Sequence, residues 1–189
     1  ERIREELGDR TVKTACIGPA GEKMVSYALV NCEYNRHAGR GGTGAVMGSK
    51  NLKAVVLRGH QAIRVHDPVA FQEAVDRAYR DLKNEEAITS FNLDGTAGSI
   101  DFANDEFLLP THNYYNGAFD EASGSNAVSQ SKKLWLRNVA CASCPIACSK
   151  VGKIRRGRRK GLVSDVVEYE TAAMMGSNIG IGDIREVAY

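Results

Sequence analysis

Three cysteines in the run CASCPIAC, Cys141, Cys144 and Cys148, are the residues of this 189-residue chain whose types and spacing most directly imply chemistry. The pattern C-x2-C-P-x2-C lets three thiolates converge from one tight turn onto a single metal centre. Soft sulfur matches iron, so an iron–sulfur cluster fits, with the fourth ligand of a cubane supplied from elsewhere. Zinc is the first rival, because C-x2-C also opens zinc sites, but those normally pair it with a second knuckle and none follows here. A disulfide is the second rival, weakened by the odd total of five cysteines and by the lack of a secretory signal. The other two, Cys16 and Cys32, lie in or beside β-prone runs and read as small buried hydrophobes.

A second stretch has the chemistry of an anion site. Residues 36–50, RHAGRGGTGAVMGSK, carry five glycines, and Gly39, Arg40, Gly41, Gly42, Thr43 and Gly44 follow neither nucleotide-binding fingerprint. Glycines nonetheless let backbone N–H groups approach phosphate oxygens, a helix expected at Ala45 offers its positive end, and Arg36 and Arg40 add charge. A purely structural glycine-rich turn would look the same. His112, Asn113 and Tyr114 follow Pro110 in a polar loop that could line a substrate funnel, although a hydrogen-bonded loop histidine reads as well. His60 and His66 sit beside surface turns and earn no role.

The elements that must position these groups are of both kinds. Residues 11–18, 24–31 and 52–58 are short β-prone runs, the first two separated by a Gly-Pro-Ala-Gly turn. Asp67 and Pro68 are a good cap and first residue for an amphipathic helix over 68–84. Residues 85 to about 125, rich in Gly, Asn, Asp and Thr, read as ordered loops. Residues 150–160, KVGKIRRGRRK, hold seven Lys or Arg and read as an exposed basic β-hairpin, most simply solvated, otherwise a dock for an acidic partner. ERIREELG reads as the last turns of a helix stopped by Gly8, and GDIREVAY as a helix beginning at Asp183, so the chain reads as a piece of something longer. The fold class expected is α+β, with the end of a β-rich domain at 1–62 and the start of a mainly helical domain at 63–189.

Composition excludes more than it assigns. With 43% hydrophobic and 25% charged residues and a net charge of +2, neither nucleic acid nor an anionic membrane is expected as the main partner. No apolar run of about 18 residues could span a bilayer, and a cytoplasmic chain is the default expectation.

Four motifs in order resemble one family. RHAGRGGTGAVMGSKNLKAV at 36–55, preceded by IGPAGE, is similar to the end of the pterin-binding domain of aldehyde ferredoxin oxidoreductases; LPTHNYYNGAF, CASCPIAC and VEYETAAMMGSNIGI continue that family's order. The resemblance implies a tungsten or molybdenum bis-pterin beside one [4Fe–4S] cluster, oxidation of an aldehyde to a carboxylate, and electrons leaving to ferredoxin or an iron–sulfur electron-transfer subunit. It places Arg36, His37 and the loop Gly39, Arg40, Gly41 and Gly42 at the pterin, and Cys141, Cys144 and Cys148 as the first three cluster ligands. The fourth cysteine and the remaining pterin loops lie beyond this chain in the family. It also puts a glutamate near the metal, here Glu170 with Glu168 as the alternate, where a buried carboxylate of raised pKa would shuttle a proton. Glutamates opening a helix would otherwise simply favour its dipole.

Three rivals stand beside that expectation. One is a reductive member of the same family acting on an aromatic acyl-CoA thioester. Another is an electron-transfer subunit that binds a cluster and no pterin, against which the cationic RHAGRGG loop argues. The third is a zinc-stabilised nucleic-acid binder using the basic hairpin. The resemblance leaves open tungsten against molybdenum, substrate identity and oligomeric state, a homo-oligomer included.

Overall fold

The computed structural model describes residues 2–33 and 36–188, and the chain divides into two compact units, residues 1–65 and 66–189. Glu1, part of the expected N-terminal helical run, lies outside the described residues.

In the first unit α1 (Arg2–Glu6) ends as expected at Gly8, whose φ of 61° is free for glycine. Four antiparallel strands follow in the order β3-β2-β1-β4: β1 (Lys13–Cys16), β2 (Val30–Cys32), β3 (Arg36–Ala38) and β4 (Ala54–Leu57). Ala15 lies opposite Cys32 on one side and Val55 on the other. The run expected as a strand from residue 24 becomes one only at Val30. Pro19 opens a one-turn helix, α2 (Pro19–Glu22), and the Val25 and Ala28 N–H groups, donating to Ala20 and Val25 carbonyls, keep the chain turning. Arg36–Ala38, expected as loop, pairs as a strand because β2 presents an open edge to it, His37 opposite Asn31.

Glycine decides how α2 meets α3 (Thr43–Ser49). A Cβ on Gly48 would stand 1.8 Å from the Gly21 carbonyl oxygen, and one on Gly44 2.4 Å from that of Leu29. The half-buried Glu33 ties the start of the unit together. Its carboxylate accepts from the Arg4 guanidinium at 2.7 Å and from the Thr14 N–H at 2.6 Å. Burial pushes the Glu33 carboxyl up, but these donors outweigh it and hold it below its usual range.

The second unit opens on α4 (Pro68–Asn84), capped by Asp67, whose Oδ1 accepts the Val69 and Ala70 N–H groups at 3.1 and 3.0 Å. The expectation of loops from residue 85 is corrected. The stretch folds as α5 (Glu86–Asp94), a 3-10 turn at Gly95–Gly98 and α6 (Ser99–Asp105), its loop-forming residues falling at caps and breaks between short helices. Then come α7 (Ala127–Lys133), β5 (Trp135–Val139), β6 (Ser149–Lys153), β7 (Val163–Asp165), α8 (Tyr169–Met174) and α9 (Ile184–Val187). The three strands form an antiparallel sheet in sequence order, and the basic segment joins β6 to β7 as the expected hairpin. The core gathers Ile100, Leu109, Phe119, Leu134, Ala172, Ala173 and Ile184. Both units thus bear out an α+β chain, and among the described residues no helix is long and apolar enough to cross a membrane.

Two predictions follow from these contacts. Gly48→Ala would gain about 1 kcal/mol at an open helical site. Here the added methyl must push α2 from α3, so a net loss of about 1–3 kcal/mol is expected in chemical denaturation, whereas Gly39→Ala, with nothing within 4 Å, should be nearly neutral. Asp183 caps α9 by accepting the Arg185 N–H at 3.0 Å and binds the Arg185 guanidinium and Lys133. The Arg185 hydrogen bond leads the causes that hold its carboxyl well below the usual carboxylate range. Asp183→Ala should cost about 1 kcal/mol at neutral pH. Since the folded carboxylate is the weaker base, that difference is complete above the ordinary value of 3.8 and should shrink as pH falls below it.

Candidate metal centre and cofactor loop

The cysteine loop joins β5 to β6. Cys141 is exposed, Cys144 and Cys148 are half-buried, and all three thiols are free. Ser143 (φ 56°) and Ala147 (φ 51°) are left-handed, and each immediately precedes a cysteine. The Cys144 N–H closes a tight turn on the Cys141 carbonyl at 3.1 Å.

Side chains from other elements hold this backbone. The Asn92 amide donates to the Ile146 carbonyl at 2.7 Å, and the Tyr79 hydroxyl reaches the Ser143 carbonyl at 3.4 Å. Lys150 Nζ donates to the Cys148 carbonyl at 3.1 Å and to the Asn92 carbonyl at 2.7 Å, and the Asn138 amide reaches the same Asn92 oxygen at 2.8 Å. Lys150 is only 5% exposed and stands 5.2 Å from the centre of the Trp135 ring. Burial pushes its ammonium below the usual lysine range, while the Cys148 thiol and Asp94 pull the other way. Sequence reasoning missed Asn92 and Lys150. Lys150 carried a signal in its place two residues after Cys148 but was read with the basic hairpin, and Asn92 carried none.

Among the described residues no three Cys, His, Asp or Glu side chains enclose a point that could hold one metal ion. A tetrahedral zinc needs its sulfurs about 2.3 Å from one centre. Each thiolate of a cubane binds a different iron, so its sulfurs stand apart around a larger body. Three free thiols on one loop, held by side chains from neighbouring elements, are a donor set whose soft sulfur suits iron. Cys16 and Cys32 are half-buried on β1 and β2, close to the buried setting expected of them.

The glycine-rich loop divides by task. Gly42 is buried as the residue before α3, and a Cβ there would stand 2.3 Å from the Ser26 carbonyl oxygen, so its glycine serves packing. Gly39 and Gly41 have nothing within 4 Å of such a Cβ, and with the exposed Arg40 they form an open tip. Thr43 Oγ1 donates to the Ala38 carbonyl at 2.9 Å and closes the loop's base. Arg36 is half-buried and His37 exposed on β3, and α3 starts at Thr43, two residues ahead of the expected Ala45.

Glu168 precedes α8 and Glu170 lies in its first turn. Both are exposed, so the burial expected for a proton-shuttling carboxylate is not provided by the described residues. Between them Tyr169 is half-buried, its phenol raised by burial and then by the Glu170 and Tyr114 charges. The loop after Pro110 is brought against the residues that follow α8. Ser177 Oγ donates to the Pro110 carbonyl at 2.6 Å, His112 and Asn113 N–H groups donate to Ser177 and Asn178 carbonyls at 3.1 and 2.7 Å, and the Tyr114 N–H reaches Asn178 Oδ1 at 3.0 Å. His112, Asn113 and Tyr114 all have positive φ, 49°, 57° and 64°.

The chain is similar to known proteins over nearly all its length. The family described as aldehyde ferredoxin oxidoreductase, N-terminal domain, matches residues 1–59, and that described as aldehyde ferredoxin oxidoreductase, domains 2 and 3, matches residues 73–189. The tungsten-containing aldehyde ferredoxin oxidoreductases of Pyrococcus abyssi and Pyrococcus horikoshii are 39% and 38% identical over 98% of the chain. The WOR-like subunit of an aliphatic sulfonate oxidoreductase from Pyrococcus furiosus is 34% identical over 92% of the chain and 28% of its own length. A solved structure, the active site complex BamBC of benzoyl coenzyme A reductase with 1,5-dienoyl-CoA, shares the fold at a TM-score of 0.68 and 22% identity, over 99% of this chain and 29% of its own. The chain spans 30% of the length of the two Pyrococcus aldehyde ferredoxin oxidoreductases. With both domain descriptions matched in order along it, the chain belongs to the aldehyde ferredoxin oxidoreductase family.

Proposed function

We propose that this chain is part of an oxidoreductase that converts aldehydes to carboxylates with water as the oxygen source, and that it carries three ligands of a [4Fe–4S] cluster and part of a tungsten or molybdenum bis-pterin site. The observation that carries the reading is the cysteine loop itself, three free thiols on one short segment between β5 and β6, in a chain 39% identical to a tungsten-containing aldehyde ferredoxin oxidoreductase. When bound, the pterin metal supplies a two-electron step and the cluster divides it into single electrons for ferredoxin or an iron–sulfur partner subunit.

The chain's own residues then have distinct tasks. Cys141, Cys144 and Cys148 hold the cluster. Arg36, His37 and Arg40 offer cations and donors to the pterin and its phosphates, the open backbone at Gly39 and Gly41 lets those oxygens approach, and Gly42 seats the loop on Ser26. Glu170, with Glu168 as the alternate, accepts the proton released as the oxygen atom is transferred. The His112–Tyr114 loop, fixed against Ser177 and Asn178, borders the substrate. Such an enzyme would work in the cytoplasm, away from oxygen.

The test is to express the complete protein that contains this chain under anaerobic conditions and determine its metals and sulfide. About four irons and four sulfides per chain, with tungsten or molybdenum, are expected; zinc without sulfide would sink the reading and return CASCPIAC to a structural role. Cys144→Ala should lose most of the cluster iron. With a loaded enzyme, aldehyde-dependent reduction of a low-potential dye is expected, and reactivity with an aromatic acyl-CoA thioester alone would replace the substrate assignment. Glu170→Gln should lower kcat about 100-fold or more; if Glu168→Gln does so instead, the proton acceptor is Glu168.

A further inference from the structure

Lys150 is a buried cation that none of the tasks above uses. Its side chain lies almost wholly out of water, and among the described residues it has no carboxylate within ion-pair distance. Its hydrogen-bond partners are neutral carbonyls, those of Asn92 at 2.7 Å and Cys148 at 3.1 Å, and the Trp135 ring stands 5.2 Å from its nitrogen. A buried ammonium with only neutral partners is costly unless an anion lies close by. A cluster held on thiolates would put negative charge on the Cys148 side, where Lys150 Nζ already donates to the Cys148 carbonyl.

We propose that Lys150 sets both the position and the reduction potential of the cluster, through its hydrogen bond to the Cys148 carbonyl and its positive charge beside that ligand. This rests on the cluster reading given above. A cluster with thiolate ligands is anionic, and taking up one electron makes it more so. A fixed cation therefore favours the reduced form and raises the potential. Lys150 acts through the ligand loop and touches no substrate, which makes it a positioning residue.

The experiment is an EPR-monitored redox titration of the complete anaerobic protein and its variants, with iron and sulfide measured on each. Lys150→Met should shift the cluster midpoint negative by at least a tenfold change in the one-electron equilibrium, about 59 mV. Lys150→Arg should restore most of the shift, and Lys153→Met, an exposed lysine on the same strand, should leave it in place. A merely structural lysine would lower cluster content without moving the potential of the clusters that remain. Should the Met variant fail to assemble, Lys150→Gln, which keeps an N–H donor for the Cys148 carbonyl and removes the charge, decides in its place. A cluster potential unmoved in Lys150→Met, or in Lys150→Gln where Met does not assemble, overturns the inference and leaves the cluster reading standing. Wild-type protein without iron or sulfide overturns both.

Discussion

Backbone carbonyls that turn inward must find donors, and in the second unit that constraint centres on Asn92. Its side-chain amide donates to the cysteine loop at Ile146, while its own carbonyl accepts from both Lys150 and Asn138. One residue at the end of α5 thus satisfies a loop carbonyl and joins β5, β6 and the cysteine segment. Much else follows from keeping it there. Helix α5 must stop two residues later, and Gly95, with φ 60°, makes the break while allowing the Cys148 carbonyl to come within 2.8 Å of where a Cβ would stand. A side chain at that position would lift the third cysteine off its support. If the loop holds the proposed cluster, the rigidity its ligands would need as charge changes begins in these few contacts.

The same logic of satisfied backbone explains the loop after Pro110. Three consecutive left-handed residues without glycine cost roughly 1–2 kcal/mol each. The conformation persists because its N–H groups have partners in Ser177 and Asn178, and because His112 packs edge-on against Phe119 with centroids 5.7 Å apart. Two motifs far apart in sequence are therefore one structural feature, in which polar side chains are displayed from a backbone that cannot relax.

What the sequence made legible was local chemistry. The Asp67 cap, the Gly8 stop and the start of α9 at Asp183 depend on a few adjacent residues, and each is found where expected. What it hid was set by partners distant in the chain. Arg36–Ala38 has no strand-like apolar alternation, and only the edge of β2 makes it a strand. The helices between residues 86 and 105 are too short and too rich in cap residues to stand out by periodicity, and α6 is fixed by Ile100 and Ala103, which reach the common core. The exposure of Glu168 and Glu170 was hidden for the same reason, since burial belongs to the surroundings of a residue and not to its type.

The glycine-rich loop shows where a motif stops being one thing. Read as letters, Gly39, Gly41, Gly42, Gly44 and Gly48 form a single cofactor-like signature. In the fold Gly42, Gly44 and Gly48 are occupied by contacts with the backbone at residues 21–29, where a methyl group would collide with a carbonyl. Gly41 is required by its φ of 76°, and at Gly39 neither space nor conformation demands glycine. The packed glycines build a rigid base, and the open pair with Arg40 stands clear of it. The loop thus divides into glycines that packing requires and an exposed pair that it does not.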